Sequence, residues 1–263
     1  MKTVRIIWLC AVVAVVRVSA AGPEPITLRI LSYNIRTGIG MDNKHDLART
    51  AAFIKSQNPD LVALSEVDDR TRRSGGINQA MRLGELTGLH AIFGKAMPYN
   101  GGYYGEAILS KHPFQEILVH PLPAATNHEP RALVEVQVQI GASGPLVTFY
   151  GTHLDHQARD ERVKQVAVIQ QVATNRMDRF TFLAGDFNDE PGTTPITELL
   201  RWWRNAGPDD AQLTWPADKP QERIDFIFYR QHPRLKVVRS EVLNEPVISD
   251  HRPVLAVFEI QPE

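Results

Sequence analysis

The sequence predicts an α/β protein in which two mixed β-sheets pack face to face and helices cover the outside. Three features indicate this fold. Short segments with strand-like patterns recur along residues 22–263, Gly- and Pro-rich turns separate those in the middle of the chain, and helical segments lie between others. Because no repeat, charge block or low-complexity linker divides this stretch, we predict one domain over residues 22–263.

Composition supports a folded domain with a full core. Of the 263 residues, 43% are hydrophobic and 22% are charged, which excludes a disordered or collagen-like chain. The formal net charge of −1 gives no general attraction to nucleic acid, although a local basic patch would still permit such contact.

The first twenty residues are typical of a secretory signal peptide. Lys2 and Arg5 precede an apolar run over 6–16, and small residues over 18–20 provide a cleavage site. A membrane anchor is the alternative, but this run is about half of the ~20 apolar residues that a span needs. We therefore expect a secreted or periplasmic protein without stable membrane association. The single cysteine, Cys10, would leave with the peptide, so the mature chain would contain no disulfide.

The first third of the chain alternates strands and helices. A strand is predicted over 27–34 and a buried strand over 61–66. A helix is predicted between them over 47–57, where Asn58-Pro59 stops it, and a second helix over 79–87 ends at Gly88.

The middle of the chain is predicted to be mainly β, and the last third mixes both elements. The predicted strands are 91–95, 104–110, 114–118, 132–140, 146–153, 181–184, 224–229, 235–242 and 254–260. An amphipathic helix is predicted over 160–175, and residues 190–223 form a loop-rich, tryptophan-containing insert.

Polar residues stand at the ends of several predicted strands. They are Asn34, Glu66, His153, Asp186, Asn188, Asp250 and His251. Polar groups at strand ends can converge on one rim of a sheet, which is where ligands usually bind in such folds. Each has an ordinary structural explanation when taken alone, since Gly, Asp and Asn are common turn residues and acidic side chains are readily solvated.

Seven segments together resemble the endonuclease/exonuclease/phosphatase superfamily, which includes DNase I-like nucleases, inositol polyphosphate phosphatases and neutral sphingomyelinases. They occur in the family's order and span nearly the whole predicted mature chain. The segments are SYNIR (32–36), PDLVALSEV (59–67), YGEAILS (104–110), THL (152–154), GDFN (185–188), RIDFI (223–227) and SDHRPV (249–254).

The resemblance implies a four-layer α/β/β/α sandwich with a Mg²⁺ or Mn²⁺ site at one rim. Glu66 would contact the metal, with Asn34 and Asp250 close by. Two positions depart from the family pattern. Ser65 replaces a frequent Gln, and Arg36 replaces an acidic residue of some repair nucleases, which argues against a second metal and abasic-site repair.

The resemblance also implies the catalytic roles. Asp186 would orient or deprotonate the attacking water, and Asn188 would donate a hydrogen bond to the phosphate. His251, ordered and kept basic by Asp225, would be the second acid–base group. Either Asp186 or His251 can be drawn as the base, and the sequence leaves both open.

Three further residues complete the predicted site. His153 is expected to contact the phosphate and to protonate the leaving group, with Glu106 orienting it. Arg131 is a candidate phosphate contact, although a solvated arginine at a strand start explains it equally well.

A zinc hydrolase is a weaker interpretation of one segment. His153, Asp155 and His156 match part of the His-x-His-x-Asp-His zinc motif, but Gly151 stands where its first histidine is required. Asp155 and His156 are therefore expected near the rim, and Arg162 and Gln165 are expected to join their helix to a loop.

The functional expectation is a secreted metal-dependent phosphoesterase that hydrolyses a phosphodiester of nucleic-acid or small-molecule type. The alternatives are a phospholipid or sugar-phosphate phosphatase that uses the same site, and a secreted binding module without turnover. The partner is a phosphate-ester substrate, nucleic acid is possible, and a monomer is expected. Side chains that flank the predicted rim loops supply candidate substrate contacts: Lys44, Arg70, Arg72, Arg73, Tyr99, Tyr103 and Tyr104.

Overall fold

The computed structural model describes residues 24–174, 179–207 and 212–262. The predicted signal peptide lies outside the described residues. Within these ranges, twelve strands form two six-stranded mixed sheets, and four α-helices flank them.

The first sheet has the strand order β11-β12-β1-β2-β4-β3. Strands β1 and β2 are parallel and the other neighbours are antiparallel. Helices α1 (Leu47–Ser56) and α2 (Gln79–Thr87) lie between β1 and β2 and between β2 and β3 along the chain. The strands are β1 (Ile26–Asn34), β2 (Leu61–Asp69), β3 (His90–Tyr99), β4 (Gly102–Ser110), β11 (Leu235–Val242) and β12 (Val254–Ile260).

The second sheet has the order β5-β6-β7-β8-β10-β9. Strands β7 and β8 are parallel and the other neighbours are antiparallel. Helix α3 (Arg159–Thr174) connects β7 to β8, and α4 (Thr194–Leu200) follows β8. The strands are β5 (Phe114–Leu122), β6 (Arg131–Gln139), β7 (Leu146–His153), β8 (Phe180–Asp186), β9 (Arg204–Asn205) and β10 (Asp225–Tyr229).

Three apolar layers hold the sandwich together. The layer between the sheets includes Phe182 of β8, whose ring lies 4.8 Å from that of Phe258 in β12. A second layer packs Leu83 and its neighbours on α1 and α2 against the first sheet. A third layer packs Ile169, with the rest of α3 and α4, against the second sheet. The predicted four-layer α/β/β/α sandwich is therefore confirmed.

The helix ends follow from local sequence. The Asp46 side chain accepts a hydrogen bond from the backbone N–H of Arg49 (2.9 Å), and Asn78 caps α2 in the same way through Met81 (2.9 Å). Gly88 ends α2 in the left-handed conformation at φ 79°, which a glycine adopts without strain. The predicted stop at Gly88 is confirmed.

The structure differs from the sequence prediction mainly in the length of some strands and in the insert. Strands β2, β3 and β5 run three to four residues further than predicted, to Asp69, Tyr99 and Leu122. Their last residues break the alternation of apolar and polar residues, and β2 contains a register shift between Leu64 and Val67. The insert also contains α4 and the two-residue β9, which are too short to give a periodic signal.

Candidate active site

The predicted site residues meet at one rim of the sandwich. The carboxyl ends of the parallel strands β1, β2, β7 and β8 lie there, and the antiparallel strands β4, β6, β10 and β12 begin there. A pocket of about 410 Å³ opens at this rim. Seven of the ten residues predicted to act in catalysis, metal binding or phosphate contact line it: Glu66, Arg131, His153, Asp186, Asn188, Asp250 and His251. Asn34, Glu106 and Asp225 are buried beneath it.

Asn34 connects two carboxylates at the base of the pocket. Its Nδ2 donates to Glu66 Oε1 and to Asp186 Oδ2, each at 3.0 Å, while its Oδ1 accepts from the backbone N–H of Arg36 at 3.1 Å. The amide nitrogen therefore faces Glu66, and a metal contact through the Asn34 oxygen would require the opposite amide orientation.

Glu66 and Asn188 reach the pocket through left-handed backbone conformations. Glu66 has φ 58° at the register shift of β2, and Asn188 has φ 50° in the turn after β8. Such conformations are costly for residues other than glycine and concentrate at functional sites. The Asn188 Nδ2 donates to the carbonyl of Leu154 (3.0 Å), which fixes this side chain at the pocket edge.

His251 lies between two carboxylates. Its Nδ1 is 2.9 Å from Asp225 Oδ2, and its Nε2 is 3.7 Å from Asp186 Oδ2. Burial opposes a charge on this ring, but Asp225 and Asp186 outweigh it and raise the pKa of His251 to about 10. This raised pKa favours the imidazolium form near neutral pH, and Nε2 also lies 3.4 Å from Asn34 Nδ2.

The acidic groups of the pocket raise one another's pKa. Burial, followed by the charge of Asp225, raises the pKa of Asp186, while His251 and Asn34 oppose this shift. Burial also raises the pKa of Glu66, and the Asp250 carboxylate adds to the shift. Arg36 pairs with one of these carboxylates, with its Nε 3.7 Å from Asp250 Oδ2.

A divalent cation fits this set of oxygen donors. Buried carboxylates that repel one another are stabilised by a hard cation, and Mg²⁺ and Mn²⁺ prefer oxygen ligands. Ligand atoms of Asp186, Asp225 and His251 also lie within 4.8 Å of one another. A cationic His251 offers no lone pair to a metal, which leaves the carboxylates of the pocket, Glu66 and Asp250 among them, as the candidate ligands.

The predicted contact between Glu106 and His153 is wrong. Arg131 Nη1 lies 3.2 Å from His153 Nδ1, and neither carboxyl oxygen of Glu106 has a hydrogen-bond partner among the described residues. A guanidinium always donates, so His153 Nδ1 must accept and its proton must sit on Nε2, 3.5 Å from Asp186 Oδ2. Burial and then the Arg131 charge hold the pKa of His153 well below its usual value. His153 is thus a neutral donor.

The pocket wall contains two of the predicted substrate contacts, Arg73 and Tyr99, and a residue that sequence reasoning missed, Trp215. Arg73 is held by both oxygens of Asp68 at 2.8 Å, and its guanidinium lies 4.3 Å from the Tyr99 ring centroid. Trp215, in the insert before β10, lines the pocket as well. No local pattern marks Trp215, because only folding brings the insert to the rim.

Other predicted contacts have different positions. Of the four basic residues predicted to flank the rim loops, Lys44, Arg70, Arg72 and Arg73, only Arg73 lines the pocket. Tyr104 lines it as well, whereas Tyr103 packs against Lys95. Asp155 is fully buried and lies 2.8 Å from His128, which leaves it unable to join His153 in a zinc site. The predicted connection of helix to loop is confirmed, because Arg162 Nη1 donates to the Asp155 carbonyl and Gln165 Oε1 accepts from its N–H.

The chain matches the family model for the Endonuclease/Exonuclease/phosphatase family over residues 31–251. It belongs to this family. A curated relative, a 5'-tyrosyl-DNA phosphodiesterase from Caenorhabditis briggsae, is 27% identical over 228 residues, which cover 79% of this chain and 61% of the relative. The chain therefore spans less than two thirds of that relative's length.

Solved structures of the endonuclease/exonuclease/phosphatase family share this fold. A family protein from Bacteroides thetaiotaomicron superposes with a TM-score of 0.75 at 18% identity, covering 91% of this chain and 100% of that chain. A mannosyl-6-phosphatase from the same organism gives a TM-score of 0.72 at 17% identity, covering 87% of this chain and 98% of that chain. Within the described residues, no helix has the length and apolar character needed to cross a membrane.

Glu106 generates a prediction about stability and pH. Burial raises its pKa from 4.5 to about 8, while Arg131 opposes the shift. The folded protein therefore binds this proton more tightly than the unfolded chain. The resulting stability is complete below pH 4.5 and is lost as the pH rises toward 8.

We expect Glu106→Gln to remove this dependence. Between pH 4.5 and about 8, wild type should lose stability relative to Glu106→Gln as the pH rises. The free energy of unfolding of wild type should fall against that of the variant by at most about 1.4 kcal/mol per pH unit. Urea unfolding of both proteins in EDTA from acidic to mildly alkaline pH measures it. Glu85→Gln, at an exposed position on α2, is the control. Parallel curves for wild type and Glu106→Gln would contradict the prediction.

Proposed function

We propose that this protein is an exported, metal-dependent phosphodiesterase that uses a water molecule to cleave its substrate. The observation that supports this most directly is the arrangement of Asp186 between two imidazoles of different charge. His251 approaches its Oδ2 as a cation, and His153 approaches it as a neutral donor. A carboxylate held this way can orient a water, while the two N–H groups stabilise phosphoryl oxygens.

The chain's own residues have separate tasks in the proposed reaction. Asp186 holds the water and takes its proton, because a cationic His251 has no free lone pair at Nε2. His251 and Asn188 donate to the phosphate. His153 Nε2–H is placed to hydrogen-bond an ester or phosphoryl oxygen.

Glu66 and Asp250 would hold a Mg²⁺ or Mn²⁺ ion, with Asn34 beside them. When bound, such an ion neutralises charge on the phosphoryl oxygens. The family relationship and the excess of carboxylates at this rim support the choice of a divalent cation.

Hydrolysis of bis-p-nitrophenyl phosphate tests the catalytic proposal. We expect release of p-nitrophenol with Mg²⁺ or Mn²⁺, suppression by EDTA, and a loss of about 10²-fold or more in Glu66→Ala and in His251→Ala. Glu85→Ala, far from the pocket on α2, is the control and should retain wild-type rates. If EDTA-sensitive release does not exceed that of the Glu66→Ala, His251→Ala double variant, the non-catalytic binding module is the better explanation.

A substrate panel tests the class of ester. At one fixed Mg²⁺ concentration, we expect plasmid DNA, RNA or a small diester to be cleaved faster than sphingomyelin, inositol phosphates and sugar phosphates. Arg73, Tyr99 and Trp215 at the pocket wall fit a substrate with a planar group next to its phosphate. Cleavage of sphingomyelin, inositol phosphate or sugar phosphate alone, with DNA and RNA intact, would reverse the order and leave the assigned site unchanged.

Export generates a separate prediction. Expression of the full chain in an exporting host should give a mature N-terminus near Ala21 by mass spectrometry, because residues 18–20 form the predicted cleavage site. Recovery of intact Met1 in a membrane fraction would contradict cleavage and support the anchor alternative.

A further inference from the structure

Arg131 places a buried guanidinium at the pocket. Only 2% of its surface is exposed, and Nη1 donates to His153. Its Nη2 lies 3.1 Å from His156 Nδ1 and 3.1 Å from Glu129 Oε2. The Glu129 carboxylate therefore binds the Arg131 guanidinium at the position where an anionic ligand in the pocket would bind.

Glu129 can leave this position without moving its backbone. The preceding residue, His128, is anchored by a 2.8 Å contact with the fully buried Asp155, and Pro130 follows with a fixed φ. The Glu129 side chain is 40% exposed, whereas that of Arg131 is 1% exposed. Rotation of the Glu129 side chain into solvent would free Arg131 Nη2 for a ligand.

We propose that Glu129 is a specificity-determining residue that selects singly charged phosphodiesters over doubly charged phosphomonoesters. Its carboxylate stays paired with the Arg131 guanidinium until the phosphoryl group of the substrate displaces it. This inference rests on the proposed phosphate-ester chemistry of the pocket and deepens it by naming the charge class of the substrate.

The reason lies in the charges of the two ester types. A phosphodiester carries one negative charge, whereas a phosphomonoester carries about −1.5 to −2 at pH 7. A free Arg131 would attract the monoester more strongly, and the opposite charge of Glu129 opposes that attraction. Besides Glu129, the pocket lining carries the carboxylates of Glu222, Asp186 and the proposed metal site, together with the cations Arg73 and His251. Glu129 therefore lowers the affinity of the pocket for a monoester more than its affinity for a diester.

The size of the effect follows from Coulomb's law. Interaction energy is proportional to the charge of the ligand, so removing the Glu129 charge changes the binding energy of a dianion twice as much as that of a monoanion. A tenfold gain in affinity for a dianion thus corresponds to about a threefold gain for a monoanion.

The binding test uses the full-length protein in EDTA with two simple anions. Inorganic phosphate at about pH 8 is chiefly a dianion, and dimethyl phosphate is a monoanion. We expect ³¹P NMR titrations to show about tenfold tighter binding of phosphate to Glu129→Gln than to wild type, and about threefold tighter binding of dimethyl phosphate. Glu222→Gln is the matched control, because Glu222 lines the same pocket and makes no described contact with Arg131.

Three results would overturn the proposal. They are unchanged or undetectable anion binding in Glu129→Gln, equal gains for both anions, and an equal response in Glu222→Gln. The last result would mean that any pocket carboxylate acts through general charge alone.

Kinetics with Mg²⁺ separate this inference from the proposed function. In Glu129→Gln, the ratio of kcat/KM for bis-p-nitrophenyl phosphate to that for p-nitrophenyl phosphate should fall about threefold, mainly through KM. If neither the wild type nor any variant hydrolyses either ester, the proposed function fails, while the NMR titration still decides the role of Glu129. An unchanged ratio in an active enzyme would reject the role of Glu129 alone.

Discussion

The buried amide of Asn34 joins the two sheets at the rim, and the site depends on this connection. Asn34 and Glu66 belong to the first sheet and Asp186 belongs to the second, so the two hydrogen bonds of Nδ2 set the distance between carboxylates from different sheets. Asn34 is 1% exposed, and its backbone carbonyl accepts a 2.6 Å hydrogen bond from Ser249 Oγ beside Asp250. A buried amide left without these partners would be costly, so the arrangement is fixed by the fold.

The same interface explains why two histidines in one pocket carry different charges. His251, before β12, faces Asp225 of the second sheet, and two carboxylates outweigh the cost of its burial. His153 is buried as deeply but faces Arg131, which repels a proton. One ring is thus held as a cation and the other as a neutral donor because their neighbours differ. Both roles require contacts between residues that are distant in sequence.

Those distant contacts mark the limit of what the sequence could predict. The strand-end positions of Asn34, His153 and Asp186 followed from local patterning and strand direction. Glu66 was predicted to end β2 but lies at the register shift inside it, and the structure still brings it to the same rim. The error at Glu106 arose because rim position does not determine side-chain pairing, since Arg131 enters from another strand and takes the place next to His153.

The lengths of strands and the content of the insert were unpredictable for a related reason. Polar strand ends such as Asp68 and Asp69 pair through backbone bonds that do not depend on the alternation of side chains. The insert residue Trp215 reaches the rim through the tertiary backbone contacts of its neighbours, including the bond from Ala217 N–H to the Asp250 carbonyl (2.7 Å). Neither feature leaves a periodic signal.

Close pairing of β7 with β8 brings His153 and Asp186 together, and a single glycine permits it. A Cβ at Gly185 would lie 1.9 Å from the carbonyl oxygen of Thr152, which excludes any other residue without movement of the strand. In this parallel register Thr152 is opposite Gly185 and His153 is opposite Asp186. The absence of a side chain at Gly185 therefore determines how closely His153 and Asp186 approach each other. The glycine of the GDFN segment thus contributes to chemistry through geometry, although it contributes no functional group.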